Sequence, residues 1–217
     1  MSYSVILAKI LPQKYMADFL DGHLYMNTDE FFTKVESSDA LRSDLYEGVD
    51  EARQFKKISI KTGSGNWTPI EGAQSPLMYR HGGKEVRHIL CMYMFTDKPN
   101  FRFDQRNIGF GDTAVLITDL KELVRRAKEA AEALGKRLLH GPVEYVDKRY
   151  HDGQMGPFRK FSEYEYQSEF RLVMIGTKGE KRKPIKLSVG NIRDIVMVSP
   201  SAKLPELPGA KSSGNRK

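Results

Sequence analysis

Gln167, Glu169 and Arg171 occupy alternate positions in the stretch YEYQSEFRLVM, residues 164 to 174. Alternate residues of a β-strand share one face. An amide, a carboxylate and a guanidinium would therefore stand in a row, with Phe170, Leu172 and Met174 on the other side. A fixed carboxylate beside a second polar group suits reactions that pass through a cationic sugar centre. The acid grips a sugar hydroxyl and stabilises the developing positive charge, while its neighbour orients the nucleophile. The same spacing also fits a plainer arrangement, in which Glu169 and Arg171 pair on a wet strand face for about 0–1 kcal/mol. The segment before it, Lys148 to Tyr166, carries Tyr150, Phe158, Arg159 and Phe161. Loops of that length are uncommon without a function, which favours a covered site.

A second acidic group lies in RSDLYEG, where Arg42, Asp44 and Glu47 precede Gly48. Two carboxylates three residues apart could share a divalent cation, although a hard cation needs further oxygens from elsewhere. The same pair equally reads as the polar cap of a helical turn. Other motifs fail at the first step: the chain has no G-x-x-x-x-G-K-[ST], no H-E-x-x-H and no C-x-x-C. The five histidines show no ligand-like spacing, and Gly109-Phe-Gly111 reads as a tight turn ahead of a strand.

The elements that must position these groups follow from periodicity and punctuation. YSVILAKI reads as a strand, Pro12 opens a short helix QKYMADFL, Gly22 supplies the left-handed residue that ends it, and HLYMN is a second strand. Thr28 caps a helix DEFFTKVES, and the segment around RSDLYEG is a loop with a partial helical turn. KKISIK reads as a strand before the turn TGSGNWTP, and EVRHILCMYMF, apolar on both faces, reads as a central strand. TAVLIT leads into the strongest helix, with Asp119 and Glu122 as a capping box and Gly135 as its stop. VEYVD, EYQSEFRLVMI, PIKLSV and IRDIVMVS complete the strands. Early helices and late strands predict an α+β fold with mixed, mostly antiparallel sheets and a few flanking helices.

A chain of 217 residues, 40% hydrophobic and 29% charged, is expected to fold as a single α+β domain over residues 1–200. A flexible basic tail would follow at 201–217, holding Lys203, Lys211, Arg216 and Lys217 against Glu206. The formal charge is +7, of which that tail carries +3, so the body is only mildly basic. One cysteine, Cys91, lies in an apolar run and cannot form an internal disulfide. No run of about 18 apolar residues occurs and the opening stretch lacks the character of a signal peptide. The expected location is therefore the cytoplasm, with no membrane partner.

The order of these parts resembles the ADP-ribosyltransferase fold: a first strand with a basic residue, a short helix ending in Gly, a later strand with an aromatic or hydroxyl group, and a loop leading into Q-x-E or E-x-E. Locally, FLDGHLYMNTDEFF, RSDLYEG, CMYMF, VEYVD and YQSEFRLVM are similar to a widespread bacterial and phage family of unknown function that has itself been likened to these NAD-dependent transferases. The resemblance implies that Glu169 grips the nicotinamide ribose of NAD⁺ and favours loss of nicotinamide, with Gln167 positioning the acceptor. It also places Tyr93 on the middle strand of the site, and Lys9, Arg42 and Arg171 as the basic groups holding the dinucleotide. Lys9 stands where the transferases keep Arg or His, and no Ser-Thr-Ser triplet is present.

The implied activity is an NAD-dependent ADP-ribosyltransferase or NAD glycohydrolase acting on a macromolecular acceptor. Two alternatives stay open. One is a nucleic-acid-binding or nuclease-like protein using the basic tail, Arg42, Arg159 and Lys160, with Tyr150 and Phe158 to stack bases. The other is a catalytically inactive interaction module on the same fold.

Overall fold

Residues 5–34, 44–81, 85–96 and 101–207 are described by the structure, a computed structural model. The β-branched and aliphatic run at the start forms β1 (Val5–Leu11). Pro12 then leads through a 3-10 turn into α1 (Met16–Leu20), which buries Phe19 and Leu20. Gly22 ends this unit at φ +85°, and an added Cβ there would lie 1.7 Å from the Gly190 carbonyl oxygen, so both conformation and space demand glycine. β2 (His23–Thr28) follows, and the Thr28 hydroxyl accepts from the Phe31 amide at 3.3 Å to cap α2 (Asp29–Lys34).

Four short strands come next: β3 (Glu51–Arg53), β4 (Ser59–Lys61), β5 (Trp67–Pro69) and β6 (Leu77–Tyr79). The expected central strand is β7 (Glu85–Thr96). β8 (Thr113–Ile117) is wholly buried, and the Asp119 carboxylate accepts from the Glu122 amide at 3.0 Å to start α3 (Leu120–Ala133). The rest of the described chain holds β9 (Arg137–Pro142), β10 (Glu144–Val146), β11 (Gly153–Gln154), β12 (Arg159–Phe161), β13 (Glu169–Lys178), β14 (Ile185–Ser188) and β15 (Val196–Pro200).

Among the described residues the main sheet runs β14-β2-β7-β1-β8-β15, with β13 on the second edge of β7 and β9 beyond it. Its pairings are antiparallel, while β10 and β12 pair in parallel, so the class is α+β with mostly antiparallel sheets. β1 pairs with β7 from Thr96 to Tyr93, and β2 pairs with it at Ile89 and His88. Because β13 spans Arg87 to Tyr93 on the opposite edge, β1 and β2 share one edge of β7 and leave a fork between them.

Each face of the sheet has its own packing. α3 covers one face with Leu123, Val124, Ala127 and Ala131, against Leu7, Leu90, Met92, Phe170, Leu172 and Met174 of the sheet. On the other face Ala8, Ile10, Tyr93 and Phe95 pack with Phe103 and Leu204.

Two expectations need correction. The strand expected to begin near residue 165 begins at Glu169: Ser162–Gln167 is a 3-10 helix closed by Ser168 in the left-handed region at φ 39°. Part of the segment expected as a flexible tail is folded. Ser201–Glu206 is a 3-10 helix with Ser201 and Leu204 buried, because Leu204 completes the aromatic cluster beside β8. Residues 208–217, with Lys211, Arg216 and Lys217, lie outside the described residues.

Candidate functional site

The two acidic motifs of the sequence meet in one buried network. At its centre is Glu169, the first residue of β13, directly across from Tyr93 of β7. Its Oε1 accepts from Lys160 Nζ at 2.8 Å and its Oε2 from Arg171 Nε at 2.6 Å. Its backbone amide donates to the Tyr145 hydroxyl at 2.9 Å. Arg171 then reaches back to the first motif: its two terminal nitrogens donate to Glu47 at 3.0 and 2.6 Å, and one also donates to the Pro157 carbonyl at 2.7 Å.

Lys160 is the second hub. Besides Glu169, its ammonium donates to Gln167 Oε1 at 2.6 Å and lies 3.2 Å from Asp44 Oδ2. It also sits 5.1 Å from the centre of the Tyr164 ring. Gln167 and Glu169 therefore do meet, but through Lys160: the turn at Ser168 separates them, so they are not neighbours on a strand face. That turn is pinned on both sides, Ser168 Oγ donating to the Met94 carbonyl at 2.8 Å and Met94 N to the Ser168 carbonyl at 2.7 Å.

Local sequence explains how the covering elements reach this place. Asp44 Oδ1 accepts from the Tyr46 amide at 2.9 Å, an Asx-type turn that leaves the other oxygen for Lys160. Gly48 at φ +74° lets the chain reverse just after Glu47. Val49, Ala52, Met155 and Phe161 form a small apolar cluster beneath, and Tyr46 packs edge-on against Phe161 at 5.0 Å. Lys148 lies over the Tyr46 ring and donates to its hydroxyl.

The electrostatics follow from burial and pairing. Glu169 is 7% exposed and Arg171 1% exposed. Burial alone would push the Glu169 carboxyl up, but Arg171 and Lys160 overcome it and hold the group well below the usual carboxylate range. Lys160 shows the converse: burial opposes its charge, and Glu169, with Asp44 and Glu47, raises it regardless. Asp44 is raised, because burial and the nearby Glu47 outweigh the help from Lys160. Burial and the Glu169 charge also push the Tyr145 phenol up. The result is a carboxylate kept ionised in a place that water barely reaches.

Comparison with protein-family models, with curated proteins and with solved structures finds no match for this chain. The site is therefore defined by its own geometry.

The remaining expected residues fall as follows. Tyr93 shares its row with Glu169 but packs into the aromatic cluster, with ring centres 4.9 Å from Phe95 and 5.0 Å from Phe103. Burial pushes its hydroxyl up to about 12. Lys9 follows Ala8, the β1 residue paired with Tyr93, and its Nζ donates at 2.9 Å to the Cys91 carbonyl inside the fork between β1 and β2. Strand alternation gives Lys9 the face of Leu7 and Leu11, opposite to that of Tyr93 and Glu169. Arg171 faces protein acceptors with every nitrogen, so its geometry is that of a group holding Glu169 and Glu47 in place. Arg42 lies outside the described residues.

Among the described residues no cluster of His, Cys, Asp or Glu could hold a metal ion, and the carboxylates of Asp44 and Glu47 face Lys160 and Arg171 instead. Of the loop residues read for nucleic acid, Arg159 pairs with Glu144 near the surface and Lys160 lies buried in the network. The sequence reading missed Lys160 as the hub and Tyr145 as the anchor of the Glu169 backbone. Its one available signal was the excess of acid in RSDLYEG, which, if buried, requires bases elsewhere.

Proposed function

We propose that the chain is an NAD⁺-dependent ADP-ribosyltransferase or NAD glycohydrolase acting on a macromolecular acceptor. The observation that carries this reading is the placement of Glu169: a buried carboxylate at the head of a strand, ion-paired with both Lys160 and Arg171 and in register with Tyr93. A preorganised anion in low-dielectric surroundings is what an oxocarbenium-like ribosyl centre needs as nicotinamide leaves.

The network suits such a task. Arg171 fixes one oxygen of Glu169, and Glu47 in turn fixes Arg171. The other oxygen is held by Lys160, whose ammonium has Gln167 and Asp44 as further acceptors. A ribose hydroxyl can therefore displace Lys160 from Glu169 without leaving a buried cation unpaired. In this reading the covering segment between β10 and β13 opens to admit NAD⁺, and Gln167 faces the incoming acceptor.

The test is thermal and chemical together. NAD⁺ should raise the melting temperature of the wild type, since a ligand that binds only the folded state stabilises it. NAD⁺ labelled on its ADP-ribose half should transfer label to a component of a cell lysate. Glu169→Gln, assayed under conditions where its circular dichroism matches that of the wild type, should lose the label transfer. A folded wild type with neither shift nor transfer would overturn the transferase reading.

A further inference from the structure

The hairpin of β4 and β5 stands away from both apolar layers of the main sheet. Every residue of β5 is exposed, as are Ile60 and Lys61 of β4. Trp67, the chain's only tryptophan, is 69% exposed. Large aromatic side chains are rarely left in water on a two-stranded ribbon, which is itself marginally stable alone. The ribbon is nevertheless well formed: Thr62 N donates to the Asn66 carbonyl at 2.9 Å, Gly65 N to the Thr62 carbonyl at 2.8 Å, and Ile70 N to the Ile58 carbonyl at 3.0 Å.

Its charge is mostly basic. Lys56, Lys57 and Lys61 are all exposed, and the acid at its base is Glu71, just after the Ile70–Ile58 hydrogen bond. Lys61 pairs directly with Trp67 across the ribbon, so an ammonium and an indole share one face. The base of the hairpin is tied to the body through Gln54, whose side-chain amide donates to the carbonyls of Lys148 and His151 at 2.9 and 3.0 Å. The turn so held presents Tyr150, 75% exposed, as another aromatic surface near the arm.

We propose that this hairpin binds single-stranded nucleic acid, with Trp67 stacking on a base and Lys56, Lys57 and Lys61 tracking the phosphates. A polyanion answers the lysines, and open bases answer the indole; a duplex would satisfy only the lysines, because its base faces are stacked away. The site is distinct from the buried network and from the basic loop and tail, and it stands whether or not NAD⁺ is turned over.

Because Trp67 is the only indole, intrinsic fluorescence reads the site directly. Titrating the full chain with oligothymidylate or oligouridylate at low salt should quench and shift its emission. Trp67→Ala should weaken binding of a dye-labelled oligonucleotide by about tenfold or more, as expected for loss of a stacking platform. Changing Lys56, Lys57 and Lys61 to Ala should lower the slope of log affinity against log salt by about 2. The circular dichroism of both variants should match the wild type. The proposal is overturned if emission does not change with either oligonucleotide, or if the variants bind as the wild type does. Equal quenching by polyglutamate would assign the arm to an acidic protein segment, and equal quenching by anionic vesicles to a lipid surface, each outcome overturning it as well.

Discussion

Lys160 is the residue on which the network turns, since a single ammonium meets Glu169, Gln167 and Asp44. Removing one partner of a buried ion pair strands the others. Lys160→Met is expected to destabilise the fold by about 3–5 kcal/mol, seen as a lower urea midpoint at unchanged m-value. Acid titration should separate the two carboxylates that Lys160 joins. Glu169 is held below its unfolded value, so its contribution is present above the ordinary Glu pKa of about 4.3 and is lost as pH falls further, toward the folded value. Asp44 is held above its unfolded value, so the folded state takes up its proton first and acidification through that window raises stability. Urea midpoints measured from neutral pH downward should therefore lose the Asp44 rise in Asp44→Asn, and show a blunted acid fall in Glu169→Gln. Both acidic motifs were visible in the sequence, but their union was not. A lysine between Arg159 and Phe161 has no local mark of burial, and only tertiary pairing takes it out of water.

Ser168 decides where β13 starts. Alternation in EYQSEFRLVMI pointed to an unbroken strand, yet the left-handed φ of 39° at Ser168 closes a 3-10 helix and resets the chain before Glu169. Period-two alternation is blind to a single residue of opposite hand, especially when its hydroxyl and backbone are both satisfied by Met94. A β-branched side chain at such a φ is strained, so Ser168→Val is expected to cost about 1–3 kcal/mol. Ser168→Gly, which removes the strain and one hydrogen bond together, should stay within about 1 kcal/mol of the wild type. Paired thermal melts of the two variants check this. Elements with strong punctuation were legible throughout, as Gly22 and the Asp119 cap of α3 show. Short strands such as β3, β6, β9 and β12 were not, because three to six residues pinned by distant partners carry too little pattern of their own.

The α+β class and the central place of β7 were legible because they follow from burial on both faces of one strand. What the whole molecule adds is convergence. The turn from Asp44 to Gly48 and the segment before β13 are more than a hundred positions apart, yet they close over the same end of β13, where Arg171 joins Glu47 to Glu169. The same convergence draws Leu204 into the second core and carries the folded part into the expected tail, through Glu206. Among the described residues no helix is long and apolar enough to cross a membrane. Release of nicotinamide from NAD⁺ by folded wild type and folded Glu169→Gln tests the central claim most directly. The account predicts measurable release by the wild type and a fall of about 10²-fold or more in the variant; equal rates in the two proteins, or none in either, would contradict it.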